Sequence, residues 1–253
     1  MSAPQKVVLI TGANQGVGYE TAKALLLSPS HTYHVLLCSR NASNGLSAAS
    51  TLTALPNKTG TVSSLQLDVT STPSIAAAVL LVEKTYGRLD ALVNNAAVIS
   101  TAKSASVALN ENLTTNVVGP VAVTDAFMPL LRKSSEPRLV FVSSSMGSIT
   151  HASNPASPYY KSKTGNNFLE YRISKAALNM VIVEYHKALE GEGIKVLGAD
   201  PGLVVTNLVN KEAVRKLGMP EADVGAGLVA RVVIGESDEN VGRVVGRYGI
   251  SEW

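Results

Sequence analysis

KVVLITGANQGVG, from Lys6 to Gly18, is the stretch that decides the fold of this chain. Its first six residues form a short continuous apolar run, which predicts a buried strand. A turn punctuated by glycines follows, and a helix is predicted from Val17 to Leu27. Glycines permit a tight turn and a close backbone approach to a ligand, and the N-terminus of a helix presents free N–H groups to an anion. This order of strand, turn and helix predicts a nucleotide site where the first strand ends.

The glycine spacing does not by itself establish a nucleotide site. It reads G-x-x-x-G-x-G from Gly12 to Gly18 and differs from the G-x-G-x-x-G fingerprint of dinucleotide-binding sheets. A plain glycine-rich turn is therefore the alternative. The placement of the turn at the first strand–helix junction favours the nucleotide site.

Predicted strands alternate with predicted helices along the rest of the chain. The further strands are Tyr33–Cys38, Val62–Asp68, Leu89–Val93, Arg138–Ser143, Ile194–Ala199 and Arg243–Gly246. The further helices are Ser43–Leu55, one with its N-cap at Thr72, Leu109–Leu131 with a kink at Gly119-Pro120, Tyr171–Glu190 and Ala222–Ile234. The segments 148–167 and 203–220 are predicted to be irregular. Continuous apolar strands alternating with helices predict an α/β fold, a doubly wound Rossmann domain whose parallel sheet of about seven strands has helices on both faces.

The composition is that of one globular domain spanning residues 1–253, with 45% hydrophobic and 16% charged residues and no repeat or linker. The net charge of +3 is scattered, so a nucleic-acid surface is not expected. The single cysteine, Cys38, excludes an intrachain disulfide and suits a reducing compartment. The four histidines lack the spacing of zinc ligands, so no metal site is predicted. No apolar run is long enough for a signal peptide or a membrane span, and a cytoplasmic protein without a membrane partner is expected.

The end of the second predicted strand indicates which nucleotide binds. An acid about 20 residues after the glycine turn would bind a ribose 2′-hydroxyl, but there is no Asp or Glu between Thr21 and Leu67. The strand ends instead in Ser39 and Arg40. A guanidinium can bind a 2′-phosphate, with the serine adding a hydroxyl donor, which predicts NADP(H) as the cofactor. The alternative is that Arg40 is a solvated turn residue.

Tyr171 and Lys175 lie four residues apart in a segment that Pro and Gly do not interrupt. In a helix both project from one face, and that face continues through Leu178, Ile182, Tyr185 and Leu189. A buried ammonium beside a phenol favours the phenolate and is expected to lower the tyrosine pKa, so that the phenol exchanges protons near neutral pH. The alternative is an ordinary amphipathic helix. Tyr159 and Lys163 repeat the spacing in a segment rich in Pro and Gly, where a helix is not expected.

Together these motifs resemble the short-chain dehydrogenase/reductase family over nearly the full length of the chain. The matching residues are T-G-x-x-x-G-x-G at Thr11–Gly18, Asp68, N-N-A-G at Asn94–Ala97 with Ala97 in place of the glycine, Asn116, S-S-x-x-G at Ser143–Gly147, Y-x-x-S-K at Tyr171–Lys175 and P-G-x-x-x-T at Pro201–Thr206. The resemblance implies a catalytic set of Asn116, Ser144, Tyr171 and Lys175. It also implies cofactor contacts from Gly12, Asn14, Gln15, Gly16, Val17, Gly18, Ser39, Arg40, Asp68, Val69, Asn95, Ala96, Tyr171, Lys175, Pro201, Gly202, Val204 and Thr206.

Several of these assignments have alternatives. Ser144 has a serine on either side, and a structural serine at a strand end is the alternative to a catalytic one. Asn116 could serve only as a hydrogen-bonding residue at a helix kink. Members that prefer NADP often carry a basic residue just before the second glycine of the turn. This chain has Gln15 there, so the NADP prediction rests mainly on Arg40.

The family resemblance implies an NADPH-dependent reductase of a ketone or aldehyde. The long separation between Ser144 and Tyr171 resembles carbonyl-reductase-like branches and is expected to lie beside the substrate mouth. The mouth residues suggest an apolar or aromatic small molecule: His151, Tyr159, Tyr160, Phe168, Leu203, Val204, Leu208 and Val209. A homo-oligomer is compatible with the family. One alternative is a catalytically silent dinucleotide-binding sensor or scaffold, and a second is an epimerase or dehydratase, which would need a larger C-terminal segment.

Overall fold

The computed structural model of the chain describes residues 5–161 and 168–253. Its strands are β1 (Lys6–Ile10), β2 (Tyr33–Ser39), β3 (Thr61–Gln66), β4 (Ala91–Asn94), β5 (Arg138–Val142), β6 (Lys195–Asp200), β7 (Val244–Gly246) and β8 (Gly249–Ser251). Within these ranges they form one eight-stranded sheet in the order β3-β2-β1-β4-β5-β6-β7-β8. All neighbouring pairs are parallel except β7 with β8. The predicted doubly wound α/β fold is confirmed.

Helices cover both faces of the sheet. They are α1 (Gly16–Leu26), α2 (Ala42–Thr53), α3 (Thr72–Tyr86), α4 (Ala105–Leu113), α5 (Gly119–Leu131), α6 (Ile149–Ser153), α7 (Leu169–Ala188), α8 (Lys211–Lys216) and α9 (Ala222–Ile234). Alternate residues of β1 enter different cores, because successive side chains of a strand point to opposite faces. Leu9 packs on the side of α3, α5 and α7, whereas Ile10 packs on the side of α1, α2 and α9.

The strand order reverses beside β1, because β2 and β3 lie on one side of it and β4, β5 and β6 on the other. In an open sheet of this kind, the crevice beyond the carboxyl ends of the strands at the reversal is where a ligand binds. The glycine turn after β1 and the residues that end β4, β5 and β6 all lie at this edge. The fold therefore brings the motifs of distant sequence segments together.

The sheet has one strand more than expected. The additional strand, β8, is a three-residue edge strand that pairs antiparallel with β7 across the turn at Arg247 and Tyr248. Two of its three residues are exposed, so it lacks the apolar run by which the other strands are recognised. The segments predicted to be irregular contain two short helices, α6 and α8, whose N-caps are Ser148 and Asn210.

The predicted interruption at Gly119-Pro120 lies where the helix changes type. The irregularity is a π-helical turn over Thr114–Val118, between α4 and α5. Pro120 lies in the first turn of α5 and has no N–H to donate back to the π-helical turn that precedes it. The N-cap of α3 is Ser71, one residue before the predicted Thr72, because the Ser71 side chain accepts the hydrogen bond from the backbone N–H of Ser74.

Candidate active site and cofactor cleft

A cavity of about 1340 Å³ occupies the carboxyl edge of the sheet. Its lining includes these residues predicted from the sequence: Gly12, Asn14, Gln15, Gly16, Val17, Ser39, Arg40, Asp68, Val69, Asn95, Ala96, Ser144, Tyr171, Lys175, Pro201, Gly202, Val204 and Thr206. Two further predicted residues, Gly18 and Asn116, lie outside the lining. The cavity therefore joins the predicted nucleotide turn to the predicted Tyr–Lys pair.

The turn after β1 has the backbone geometry of a phosphate cradle. Gly12 and Gly16 both adopt φ +61°, a left-handed conformation that residues with a Cβ rarely adopt. A Cβ on Gly12 would also lie 2.9 Å from the Cα of Ala96. The Thr11 hydroxyl accepts the backbone N–H groups of Asn95 and Ala96, each at 2.9 Å. The turn is thus open towards the cavity and fixed from below, which fits the pyrophosphate of a dinucleotide.

Asn95 fastens the same turn to the end of β4. Its Nδ2 donates to the carbonyl oxygens of Thr11 at 2.8 Å and Gly12 at 3.2 Å. Gly18 lies on the far side of the turn, where a Cβ would overlap the Asn95 amide. The absence of a side chain at Gly18 therefore permits the close approach of α1 to β4, which explains why this residue is not in the cavity lining.

The end of β2 supplies one free cation to the cleft. Arg40 is exposed, lines the cavity and forms no ion pair within the described part of the chain. Ser39 differs from the expectation, because its buried hydroxyl donates to the carbonyl oxygen of Asn41 at 2.8 Å. Its hydroxyl hydrogen is thus used inside the loop and is not offered to a phosphate.

Asp68 and Val69, after β3, line the same end of the cavity. The Asp68 carboxylate accepts hydrogen bonds at Oδ1 from the Thr70 backbone N–H at 2.9 Å and from its hydroxyl at 2.7 Å. These bonds fix the orientation of the carboxylate. An oriented acceptor at this position fits the amino group of an adenine ring, as the sequence motif implies.

Three consecutive serines follow β5, and their hydroxyls have different partners. Ser143 donates to Asn179 Oδ1 at 2.5 Å, and Ser145 donates to Asp200 Oδ2 at 2.5 Å. The Ser144 hydroxyl accepts from the Met146 backbone N–H at 3.2 Å and is hydrogen-bonded to the Tyr171 side chain. Of the three hydroxyls, Ser144 alone contacts the Tyr171 phenol, which favours the predicted assignment over its neighbours.

The Tyr–Lys pair lies in the first two turns of α7, on the face that continues into the core. Tyr171 is 8% exposed and Lys175 is 2% exposed. The Lys175 ammonium donates to the carbonyl oxygen of Val142 at 2.8 Å and lies 5.6 Å from the centre of the Tyr171 ring. The alternative of an ordinary helix with an exposed lysine does not hold.

The expected effect of Lys175 on Tyr171 is wrong. Burial raises the pKa of Tyr171 above its usual value, the nearby carboxylate of Asp200 raises it further, and the hydrogen bond from Ser144 opposes both. Burial also lowers the pKa of Lys175 to about 8, against the opposing effect of Asp200. Both groups lose solvation, and that loss disfavours the phenolate as well as the ammonium. The phenol is therefore protonated at neutral pH.

Asn116 lies in the π-helical turn and is fully buried. Its Nδ2 donates to the Val98 carbonyl oxygen at 2.9 Å and to the Ser174 hydroxyl at 3.0 Å, and its Oδ1 accepts from the Val98 backbone N–H at 2.8 Å. Both amide hydrogens are thus used to join the loop after β4 to α7. This geometry matches a hydrogen-bonding residue at a helix irregularity, and a catalytic role stays a prediction.

The substrate end of the cavity contains all but one of the residues predicted to form the substrate mouth. The lining includes His151, Tyr159, Phe168, Leu203, Val204, Leu208 and Val209, whereas Tyr160 lies outside it. Tyr159 lies in a turn rather than a helix, and Lys163 lies outside the described residues. The Tyr159 phenol is hydrogen-bonded to Ser145, and Arg172 donates to the Tyr159 carbonyl oxygen at 2.8 Å.

Sequence reasoning missed two groups of lining residues. The turn between β7 and β8 contributes Arg247 and Tyr248, which no motif marks. Asp200, 3% exposed at the end of β6, accepts hydrogen bonds from Ser145 and from the backbone N–H of Gly202 at 2.8 Å. A signal for Asp200 was present, because an acid that ends a predicted parallel strand reaches the ligand edge of the sheet, as Asp68 does.

Comparison with known proteins finds relatives that match nearly the whole chain. The sequence profile of the short chain dehydrogenase family matches residues 6–216. A short-chain dehydrogenase/reductase of Phoma sp, eupG, is 39% identical over 94% of this chain and 93% of its own. Another, tropE of Talaromyces stipitatus, is 37% identical over 95% of each chain.

Solved structures share the fold. NADPH-bound carbonyl reductase from chicken fatty liver superposes with a TM-score of 0.78 at 24% identity, over 99% of this chain and 100% of its own. The Pseudomonas aeruginosa RhlG/NADP complex superposes with a TM-score of 0.80 at 22% identity, over 97% of this chain and 96% of its own. A 3-oxoacyl-[acyl-carrier protein] reductase from Brucella melitensis in complex with NAD superposes with a TM-score of 0.79 at 22% identity, over 97% of this chain and 96% of its own.

None of the helices in the described ranges has the length and apolar character of a membrane span.

Proposed function

Because the chain belongs to the short-chain dehydrogenase/reductase family of oxidoreductases, we propose that it is an NADPH-dependent reductase of a ketone or aldehyde carbonyl. The observation that carries the proposal is the meeting of Ser144, Tyr171 and Lys175 at one wall of the cleft. They lie beyond a glycine turn that fits a dinucleotide. A protein that only binds the nucleotide has no need of a buried tyrosine and a buried lysine beside this serine.

The residues divide the chemistry among them. The nicotinamide cofactor, when bound, supplies the hydride. Ser144 donates a hydrogen bond to the substrate carbonyl oxygen, where negative charge develops. Tyr171 donates the proton that completes the alcohol, and Lys175 orients the ribose hydroxyls. Gly12, Gly16 and the N-terminus of α1 hold the pyrophosphate.

The protonation states suit the reductive direction. The raised pKa of Tyr171 keeps the phenol protonated at neutral pH, so a proton is ready when the carbonyl is reduced. The pKa of Lys175, lowered to about 8, lets this ammonium exchange a proton with solvent near neutral pH. Lys175 can therefore return a proton to Tyr171 after each turnover. Oxidation of the alcohol uses the same groups in reverse, at higher pH.

The preference for NADPH rests on Arg40. No carboxylate between Thr21 and Leu67 competes for the ribose hydroxyls, and the guanidinium is exposed, unpaired within the described residues and part of the cleft lining. The relevant comparison is kcat/KM with NADPH against kcat/KM with NADH. We expect a clear preference for NADPH, and an equal or higher value with NADH contradicts the cofactor assignment.

The substrate is a small carbonyl compound with an apolar or aromatic body. Leu203, Leu208 and Val209 supply apolar surface, and Tyr159 and His151, whose ring centres are 5.1 Å apart, supply an aromatic side. We expect aryl ketones and aldehydes to be better substrates than short polar ones.

A panel of carbonyl compounds, followed by NADPH consumption and by detection of the alcohol, tests the proposal. Reduction of at least one apolar carbonyl supports it. If the protein binds NADPH but reduces none of the panel, the silent-sensor alternative is favoured. Tyr159→Phe is the matched variant for Tyr171→Phe, since both remove one phenol from the same cavity. We expect Tyr159→Phe to change KM and Tyr171→Phe to abolish most of kcat.

A further inference from the structure

The buried carboxylate of Asp200 joins two loops of the site. Its Oδ2 accepts hydrogen bonds from the backbone N–H of Ser145 at 2.7 Å and from the Ser145 hydroxyl at 2.5 Å. Its Oδ1 accepts from the backbone N–H of Gly202 at 2.8 Å. One loop carries Ser144, and the other forms the turn at Pro201 and Gly202. Three hydrogen bonds to one buried carboxylate fix the distance between these loops.

Ser145 extends this connection to the substrate side. The Tyr159 phenol is hydrogen-bonded to the Ser145 side chain, and the Ser251 hydroxyl donates to Ser145 Oγ at 3.3 Å. Tyr159 belongs to the segment before α7, and Ser251 ends β8. The carboxylate of Asp200 thus stands at the centre of a polar network that reaches four separate segments of the chain.

The charge of Asp200 acts on the two ionisable groups of α7. It raises the pKa of Tyr171 and opposes the lowering of the pKa of Lys175, and it also raises the pKa of Tyr159. No cation forms an ion pair with it among the described residues. The titratable and charged groups that line this region among the described residues are Tyr171, Lys175 and Arg172 of α7, His151, Tyr159 and Lys161 of the segment before it, Arg231 of α9, and Arg247, Tyr248 and Glu252 beside β8.

We infer that Asp200 is a positioning residue of the reaction, which holds the Ser144 loop against the Gly202 turn and supplies the negative charge beside Tyr171 and Lys175. This inference rests on the proposed reductase function. Among the described residues, Asp200 forms no hydrogen bond with the side chain of Ser144, Tyr171 or Lys175. It acts on Ser144 through the adjacent peptide N–H of Ser145, and on α7 through its charge.

The variant Asp200→Asn keeps the shape of the side chain and removes its charge. Loss of the charge lowers the pKa values of Tyr171 and Lys175, since both are raised by it. Reduction needs the proton that Lys175, with a pKa of about 8, returns to the phenol, so the high-pH limb of the kcat/KM profile moves to lower pH, by about one unit when the negative charge is removed. We also expect kcat to fall at least tenfold, because the Asn amide cannot accept all three hydrogen bonds.

Ser145→Ala is the matched control. It removes the hydroxyl bridge to Tyr159 while the carboxylate and its charge remain, so kcat falls but the high-pH limb stays in place. A purely structural role of Asp200 predicts the same unmoved limb for Asp200→Asn. That result, or a limb displaced to higher pH, overturns the inference.

A second readout does not depend on turnover. Isotope-labelled lysine NMR of the protein without cofactor follows the Lys175 ammonium, whose pKa is about 8, through its titration, with Lys175→Met used to assign the signal. We expect the signal to titrate at lower pH in Asp200→Asn than in the unaltered protein, and equal titration contradicts the inference. If Asp200→Asn does not fold, Asp200→Ser removes the same charge with a smaller side chain. Absence of reductase activity in the unaltered protein would count against the proposed function, whereas the NMR comparison still decides the charge effect.

Discussion

The substitution Gly147→Ala tests the packing that brings Ser144 and Tyr171 together. Gly147 is buried at the end of the short turn after Ser144, directly against α7. A Cβ at this position would lie 2.5 Å from the carbonyl carbon of Lys175 and 2.7 Å from the backbone nitrogen of Ala176. Ordinary van der Waals contact begins at 3.4 Å. Because the contacted atoms belong to helix backbone, they cannot rotate away, and the turn and α7 must separate by about 1 Å.

This separation has two measurable consequences. Overpacking of a buried site costs about 1–3 kcal/mol, and for a domain of this size each kcal/mol lowers Tm by about 2–4 °C. A displacement of about 1 Å between Ser144 and Tyr171 costs on the order of 100-fold in rate. We therefore expect Gly147→Ala to fold, to melt several degrees lower and to lose most of its kcat.

Gly227→Ala is the matched control for this experiment. Gly227 lies inside α9, and a Cβ there would meet nothing within 4 Å. Alanine in a helix is favoured over glycine by about 1 kcal/mol, so this variant gains stability with kcat unchanged. Thermal unfolding and kcat with NADPH and one carbonyl substrate are measured on both variants. Wild-type kcat in Gly147→Ala would refute the contact between the turn and α7.

Three further predictions follow from charges in the structure. Asp238 accepts hydrogen bonds from Arg138 and Lys195, which hold its pKa at about 2, so its stabilisation is present above about pH 4 and is lost as pH falls towards 2. Denaturant unfolding should show Asp238→Asn less stable by about 1–2 kcal/mol at pH 7, with the difference vanishing near pH 2. Burial lowers the pKa of Lys175 to about 8 in the folded protein, from its ordinary 10.5. Below pH 8 the folded state bears the cost of a buried ammonium, so the free energy of unfolding rises as the pH increases from 8 to 10.5. Lys175→Met should therefore be more stable by about 1–3 kcal/mol at pH 7 and inactive, and lower stability would contradict the burial argument. Arg40→Ala should lower kcat/KM with NADPH by about 10- to 100-fold and leave the value with NADH nearly unchanged, whereas equal losses would make Arg40 a structural residue.

The sequence predicts well those elements whose burial appears as a local pattern of apolar residues. The strands β1 to β6, all but β3 rich in continuous apolar residues, match their predicted positions to within about two residues at each end. Helix α9 begins and ends where its pattern does, at Ala222 and Ile234. These positions follow from local hydrophobicity and from turn residues, so no knowledge of distant contacts is needed.

The elements that it misses depend on partners far along the chain. Two of the three residues of strand β8 are exposed, and the strand is stabilised by pairing with β7, which a one-dimensional pattern does not reveal. The π-helical turn at Thr114–Val118 accommodates Asn116, whose hydrogen bonds to Val98 and Ser174 become visible only when the loop after β4 and α7 are in place. Short helices such as α6 carry too few residues for a periodic signal.

The properties of the candidate site fall into the same two groups, those with a local signature and those that depend on distant contacts. The motifs identify the residues that line the cleft, because the glycines, Arg40 and the Tyr171–Lys175 pair each have a local signature. Their electrostatics cannot be predicted from spacing. The sign of the Tyr171 pKa shift depends on burial and on Asp200, and the commitment of the Ser39 hydroxyl to Asn41 depends on the fold of one loop. Three-dimensional contacts, rather than residue types, decide these properties.

Single-turnover reduction of an apolar ketone by NADPH, compared between the unaltered protein and Tyr171→Phe, tests the central claim most directly. Binding of NADPH to both proteins is measured first, by fluorescence of the reduced nicotinamide. We expect equal binding and a loss in rate of about 10²- to 10⁴-fold in the variant, because a general acid contributes a factor of this size. Alcohol formation at the unaltered rate in Tyr171→Phe would contradict the claim that this phenol supplies the proton.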